Sequence, residues 1–172
     1  CWLKQPDKGI VEYDKALART GHGDPIRGAP EIRAQLSRIR DAVQYLKDRT
    51  FEGMNAGTDL WTLMGSIRLP AHLAIGQGHG KVPWLVRAIW EEHLGWFRYE
   101  SSTELYNVPP HAVYNDFVEL AGGPARVLDA ARKHLSEGRP LRALHLAEAA
   151  LAVSDRNVDA LSVKLEATEF LL

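Results

Sequence analysis

The chain has 172 residues, of which 45% are hydrophobic and 25% are charged, and its formal net charge at pH 7 is −1. This composition is typical of a soluble globular protein of one or two domains, and the balanced charge argues against a nucleic-acid or anionic-membrane partner. No segment approaches the roughly 18 apolar residues of a membrane span. Cys1 is the only cysteine, which excludes an intrachain disulfide and a thiolate metal cluster. Periplasmic, secreted and cytoplasmic locations all stay open. Because the first residue is not Met, we expect that the chain is an excerpt or a processed form of a longer protein.

The first residues predict short elements followed by a histidine turn. Gly9–Tyr13 fits a short strand, and Lys15–Thr20 fits a second strand or a helical turn. His22 then lies between Gly21 and Gly23. Glycine permits positive φ and close backbone approach, so the imidazole can be aimed at a neighbour such as a metal ion. From these residues alone, a turn histidine that bonds to the backbone is the more frequent explanation.

A long helix is predicted to begin at Pro30, since proline is favoured in a first helical turn. Apolar residues recur along it at spacings of three and four, which predicts one buried stripe: Ile32, Leu36, Ile39, Val43 and Leu46. The helix is expected to reach Gly53 and to end in a left-handed turn at Asn55–Gly57. Thr58 is predicted to cap a second helix that runs to about Ile67.

A glycine-rich turn, Gly76–Gly80, precedes an aromatic helix predicted from Pro83 to about Phe97. His79 and Lys81 are candidates for binding an anionic group, because cations stabilise developing negative charge. A solvated loop is the alternative for both.

The aromatic helix itself carries two more candidate ligand contacts. Arg87 has the geometry for a bidentate contact to sulfate or carboxylate, although we favour an ion pair with Glu91 one turn further on. Trp84 is the best candidate for the wall of an apolar pocket. For the other aromatic side chains we favour packing in the core or in a dimer interface.

The remainder of the chain predicts helices throughout. A loop over Tyr99–Pro110 is followed by a helix from about Pro110 to Leu120. Three further helices are expected: Pro124–Glu137, Pro140–Ser154 and Asn157–Leu172. Their dense alanines and spacing resemble a tetratricopeptide-type helix pair. This pair amounts to barely one repeat, so it should pack against the rest of the chain.

Several blocks of the sequence resemble the alkyl sulfatase dimerisation region, in its order and spacing. They are Asn55–Met64, Ile67–Pro70, Gly80–Trp90, Gly95–Phe97 and Val118–Gly123. In the metallo-β-lactamase-fold alkyl sulfatases this region follows the catalytic domain, and the likeness here extends from about Gly21 to the C-terminus. It implies a mainly α-helical chain, in which residues 1–50 form the strand–helix edge of a catalytic αββα domain and residues 51–172 form the dimerisation domain.

The resemblance also implies a function. The family hydrolyses alkyl sulfate esters or similar substrates with two zinc ions, which activate water and polarise the leaving group. The His-x-His-x-Asp-His motif that supplies most ligands is not present here, and His22 resembles one late ligand. Residues Gly76–Arg87, with His79, Lys81 and Trp84, would close over a small amphiphilic ester. The implied partners are a missing N-terminal catalytic portion and a second copy, bound through the helices after Pro83.

Two alternatives remain at this stage. The chain fits a non-catalytic, tetratricopeptide-like interaction module, which predicts no metal and a concave peptide-binding face. It also fits a relative that has lost its metal site. Trp84 occupies a position at which some relatives have histidine. This difference implies a variant of the hydrolase hypothesis in which the substrate is a different ester.

Overall fold

The computed structural model describes residues 28–78 and 80–171. Within these residues the fold is helical and contains no strand, which confirms the mainly α prediction. The α-helices of this part are α1 (Ala29–Asn55), α2 (Leu60–Ser66), α3 (Val82–Leu94), α4 (Tyr114–Leu120), α5 (Pro124–Ser136), α6 (Pro140–Val153) and α7 (Val158–Glu169). Short 3-10 helices lie at Ala71–Leu73, Ser102–Leu105 and Pro110–Val113. None of the helices in these ranges is long and apolar enough to cross a membrane.

The chain divides into two compact units, the first ending at Arg98 and the second beginning at Tyr99. Three predictions lie outside the described residues: the short elements at Gly9–Tyr13 and Lys15–Thr20, the turn around His22, and the position of His79. The predicted boundary between residues 1–50 and 51–172 therefore stays a prediction.

Helix α1 buries a narrower face than its sequence predicts. Ala42, Leu46 and Thr50 are buried at intervals of four residues, whereas Ile39 is 47% exposed and the predicted Leu36 and Val43 are only half-buried. Thr50 is tolerated in this interior because its hydroxyl donates to the Leu46 carbonyl at 2.7 Å. The helix is followed by Gly57 with a φ of 74°, as the left-handed ending predicts.

Helix α2 is capped by Asp59 and not by Thr58. The Asp59 carboxylate accepts the backbone N–H of Thr62 at 3.0 Å and the Thr62 hydroxyl at 2.6 Å. Both hydrogen bonds favour the ionised form and lower the pKa of Asp59. A carboxylate satisfies the first-turn N–H groups better than a hydroxyl one residue earlier, so the helix begins one residue later than the predicted start.

Helix α3 ends three residues earlier than predicted, at Leu94. Gly95 follows with a φ of 79°, a left-handed conformation that glycine adopts readily. The helix buries Val82, Val86 and Ile89. Val82 and Val86 pack with Leu46 of α1 and Leu63 of α2 in the core of the first unit. Phe97, the predicted last residue, lies beyond the helix.

The second unit packs its helices around small residues. Ala131, Ala143, Ala147, Ala150 and Ala160 are fully buried, which brings the axes of α5, α6 and α7 close together. The bounds of these three helices agree with the sequence prediction to within three residues. The helix predicted from Pro110 to Leu120 is instead a 3-10 turn, Pro110–Val113, followed by α4.

Candidate functional site

The first unit contains an apolar cavity of about 590 Å³ beside the start of α3. Its described lining is formed by Leu46, Leu69, Ile75, Gly76, Gln77, Gly78, Gly80, Lys81, Val82, Trp84 and Leu85. Cavities of this size, with apolar walls and few polar groups, are typical of small-molecule sites. Of the described lining residues, Lys81 is the one whose side chain carries a charge.

The described residues 75–78 and 80–82 form a glycine-rich wall of the cavity, and a hydrogen bond ties this wall to α3. The Gln77 side-chain oxygen, Oε1, accepts the backbone N–H of Val82 at 3.0 Å. Pro83 occupies the first turn of α3 and has no N–H of its own. Gln77 thus satisfies one of the donors that the start of a helix leaves unpaired.

Arg87 forms the ion pair that the sequence predicts. Its Nε donates to Glu91 Oε1 at 2.8 Å, across one turn of α3. The Arg87 side chain is 46% exposed, so the pair is solvated and contributes little to stability. Arg87 is not among the described lining residues of the cavity.

His93 has a structural role near the end of α3. Its Nδ1 donates to the Ile89 carbonyl at 2.8 Å, and its ring meets the Phe51 ring edge-on at a centroid distance of 4.5 Å. Across residues 28–78 and 80–171, no group of three His, Cys, Asp or Glu side chains is arranged to hold a metal ion.

Comparison with known proteins decides the family. Residues 63–171 match the family model described as alkyl sulfatase dimerisation. The chain belongs to this family.

The most similar characterised relatives include a linear primary-alkylsulfatase from Pseudomonas sp. (strain ATCC 19151), which is 31% identical over 135 residues, or 76% of this chain and 25% of the relative. An (R)-specific secondary-alkylsulfatase from Pseudomonas sp. is 26% identical over 155 residues, or 87% of this chain and 23% of the relative. The chain therefore spans about a quarter of the length of these relatives.

A solved structure supports the fold of this alkyl sulfatase dimerisation chain. The stereoselective inverting sec-alkylsulfatase from Pseudomonas sp. superposes with a TM-score of 0.71 and 24% identity, covering 94% of this chain and 28% of that one. At this identity the likeness concerns the fold.

The structure brings two of the predicted ligand contacts together. Lys81 and Trp84 both line the cavity, and Trp84 leaves 61% of its surface exposed there. The site roles of Lys81, Trp84 and Arg87 stay predictions, and His22 and His79 lie outside the described residues.

Three described lining residues lie outside the predicted range Gly76–Arg87: Leu46, Leu69 and Ile75. Gln77 lies inside that range, but its hydrogen bond to the Val82 N–H was not predicted. Leu46 belongs to a distant helix, so only the tertiary fold brings it to this site. The position of Gln77, inside a glycine-rich turn and five residues before the first residue of a helix, is the local signal that was available.

The second unit has a smaller apolar cavity of about 300 Å³ between α4, α5 and α6. Its lining includes Phe117, Val127, His145, Leu146 and Ala149. A groove in this part of the chain is what the interaction-module alternative predicts. The family match favours the alkylsulfatase hypothesis over that alternative.

Proposed function

We propose that this chain is the C-terminal portion of a zinc-dependent, metallo-β-lactamase-fold hydrolase that acts on alkyl sulfate esters or similar substrates. One observation carries the proposal. The family-matched segment supplies most of the wall of an apolar cavity whose described lining bears a single charged side chain, that of Lys81. An anionic head on a hydrocarbon tail is the ligand chemistry that this combination suits.

The cavity lining accounts for each half of such a substrate. Leu46, Leu69 and Leu85 present hydrocarbon surface, and burying an alkyl chain against it gains about 0.8 kcal/mol for each CH₂ group removed from water. We propose that the ammonium group of Lys81, a lining residue, attracts the sulfate group. Trp84 adds a rigid aromatic wall. We propose that His79 supplies a second positive group and that Gly76–Arg87 closes over the bound ester.

The support for Arg87 as a substrate contact is weaker than the support for Lys81 and Trp84. Its guanidinium already pairs with Glu91 at 2.8 Å, so a contact with the ester sulfate requires that ion pair to open. Arg87 is also not among the described lining residues of the cavity, whereas Lys81 and Trp84 are, so we place Arg87 after them in the proposed binding set.

The zinc ions require residues from outside this chain. A neutral imidazole is a good zinc ligand, but catalytic zinc sites use about three protein ligands for each ion. We propose His22 as one ligand and the N-terminal catalytic portion as the source of the others. When bound, the zinc pair would supply the Lewis acidity that activates water and polarises the ester. This chain would contribute the alkyl cavity, its positive group and a homodimer interface.

The zinc hypothesis is tested on the full-length protein that contains this chain. We expect His22→Ala to lower the zinc content measured by mass spectrometry of the purified protein, because one ligand is removed. His72→Ala is the matched control, since His72 is an exposed histidine of the same unit. An unchanged zinc content in His22→Ala would remove His22 from the ligand set.

The division of labour is tested on the 172-residue chain by itself. Supplied with zinc and a long-chain alkyl sulfate, it should release no sulfate, because one histidine cannot hold two catalytic metal ions. Full-length protein is the positive control. Sulfate release by the purified chain would contradict the proposed need for a separate catalytic portion.

A further inference from the structure

Three glycines lie along one wall of the alkyl cavity, and each has open space where a side chain would begin. Gly76, Gly78 and Gly80 all line the cavity, and a methyl group built on any of them meets no atom within 4 Å. Glycine also loses more backbone freedom on ordering than any other residue. At these three positions, therefore, no side chain helps to hold this wall in the position that encloses the cavity.

Gln77 supplies a specific restraint in the middle of this wall. Its Oε1 accepts the Val82 N–H at 3.0 Å in a partly buried contact, where competition from water is reduced. The bond spans five residues and links the wall to the first residue of α3. Val82 is itself 6% exposed and belongs to the core of the first unit. The wall is thereby attached to a well-packed point.

We infer that Gln77 is a positioning residue for the alkyl cavity. It acts through the wall that it holds and need not touch the ligand. When this bond is absent, the wall samples open conformations, and the apparent affinity falls in proportion to the fraction that remains competent to bind. This role rests on the proposed function, because that proposal places an alkyl chain in the cavity.

Two isosteric substitutions separate the hydrogen-bond acceptor from the size of the side chain. Gln77→Met keeps the length and removes the acceptor. Gln77→Glu keeps an oxygen acceptor, and its negative charge is favourable near the start of a helix. The probe is N-phenyl-1-naphthylamine, an uncharged apolar dye that becomes fluorescent in apolar cavities, so the new charge does not repel it.

We expect Gln77→Met to bind the dye about fivefold more weakly than the unchanged chain, the effect of one net hydrogen bond. Gln77→Glu should bind within about twofold of the unchanged chain, because the acceptor is preserved. Amide exchange of Val82, followed by NMR, should accelerate in Gln77→Met and stay slow in Gln77→Glu. Circular dichroism melts should show that both variants are folded.

The outcomes distinguish this role from the proposed function. Equal dye affinity in all three chains would overturn the role of Gln77 and leave the alkyl cavity standing. Equal weakening in both variants would also overturn it, because an acceptor would then not be sufficient. Absence of saturable binding by the unchanged chain would overturn the alkyl cavity itself, and this role with it.

Discussion

At the scale of single residues, His134 is in an unusual electrostatic position. Its side chain is 22% exposed, and its buried Nδ1 has no hydrogen-bond partner among the described residues. Burial lowers the pKa of His134, and the positive charges of Arg139, Arg142 and Lys133 lower it further. Glu137 lies 3.9 Å from Nδ1, but its carboxylate already pairs with Arg139.

This arrangement predicts an acid-sensitive contribution to stability. Below the ordinary histidine pKa of 6.5, the unfolded chain binds a proton at His134 before the folded chain does. The free energy of unfolding therefore falls as the pH decreases from 6.5 through the lower folded pKa, and there is no loss above 6.5. His134→Gln should reduce the drop in melting temperature between about pH 7.5 and about pH 5.

His111→Gln is the control for this measurement, since His111 is an exposed histidine of the same unit. It removes an exposed imidazole, whereas His134→Gln removes a partly buried one, so the difference between their pH profiles reports the effect of burial. Parallel pH profiles for the unchanged chain and His134→Gln would contradict the prediction. They would show that the partly buried imidazole takes up its proton equally in both states.

At the scale of elements, the contact between α1 and α2 depends on one glycine. A Cβ added to Gly53 would lie 3.1 Å from Leu63 Cδ1 and closer still to Cδ2. Leu63 is 5% exposed and belongs to the core of the first unit. The side chain therefore has little room to move, and the missing Cβ leaves the space that Leu63 occupies against α1.

We expect Gly53→Ala to lower the melting temperature, although alanine is favoured over glycine in an isolated helix by about 1 kcal/mol. Gly65→Ala in α2 is the matched control. A methyl group there meets nothing within 4 Å, so helix propensity should dominate and raise the melting temperature slightly. If both variants are stabilised, the close approach at Gly53 is not the constraint that we describe.

The elements themselves were largely predictable from sequence, because proline and glycine mark their ends. Pro30 and Pro83 lie in the first turns of α1 and α3, as predicted. The predictions that were wrong concern helix ends at which two local effects compete. Asp59 replaced Thr58 as the cap because its carboxylate accepts two hydrogen bonds. The apolar pattern beyond Gly95 predicted a helix that continues to about Phe97, but the positive φ of Gly95 ends it at Leu94.

The candidate site was less predictable, since it depends on which helices meet. Lys81 and Trp84 are close in sequence, and both line the cavity as a glycine-rich turn before a helix suggests. Leu46 comes from the middle of α1, where the pattern indicates only a buried position. The buried stripe of α1 is also narrower than predicted. Ile39 is 47% exposed, because tertiary packing decides which apolar positions of a helix are covered.

At the scale of the whole molecule, the last helix has two apolar faces and only one is covered. Ala160, Val163 and Ala167 are buried in the second unit. Leu161 and Leu165 stay 46% and 62% exposed within the described residues. Helix α7 lies wholly inside the segment that matches the dimerisation family. We propose that a second copy of this chain covers the exposed face, because an apolar stripe on a family-matched segment suits a self-association surface.

The dimer prediction is tested by the mass of the chain in solution. Light scattering should give about twice the monomer mass of 19.2 kDa. Leu165→Asp should shift the chain toward monomer, because it would place an unpaired charge in an apolar contact. Ser162→Asp, on the same helix at an exposed polar position, should leave the dimer intact. A monomeric unchanged chain would contradict self-association, whereas a dimer that survives Leu165→Asp would place the interface on another surface.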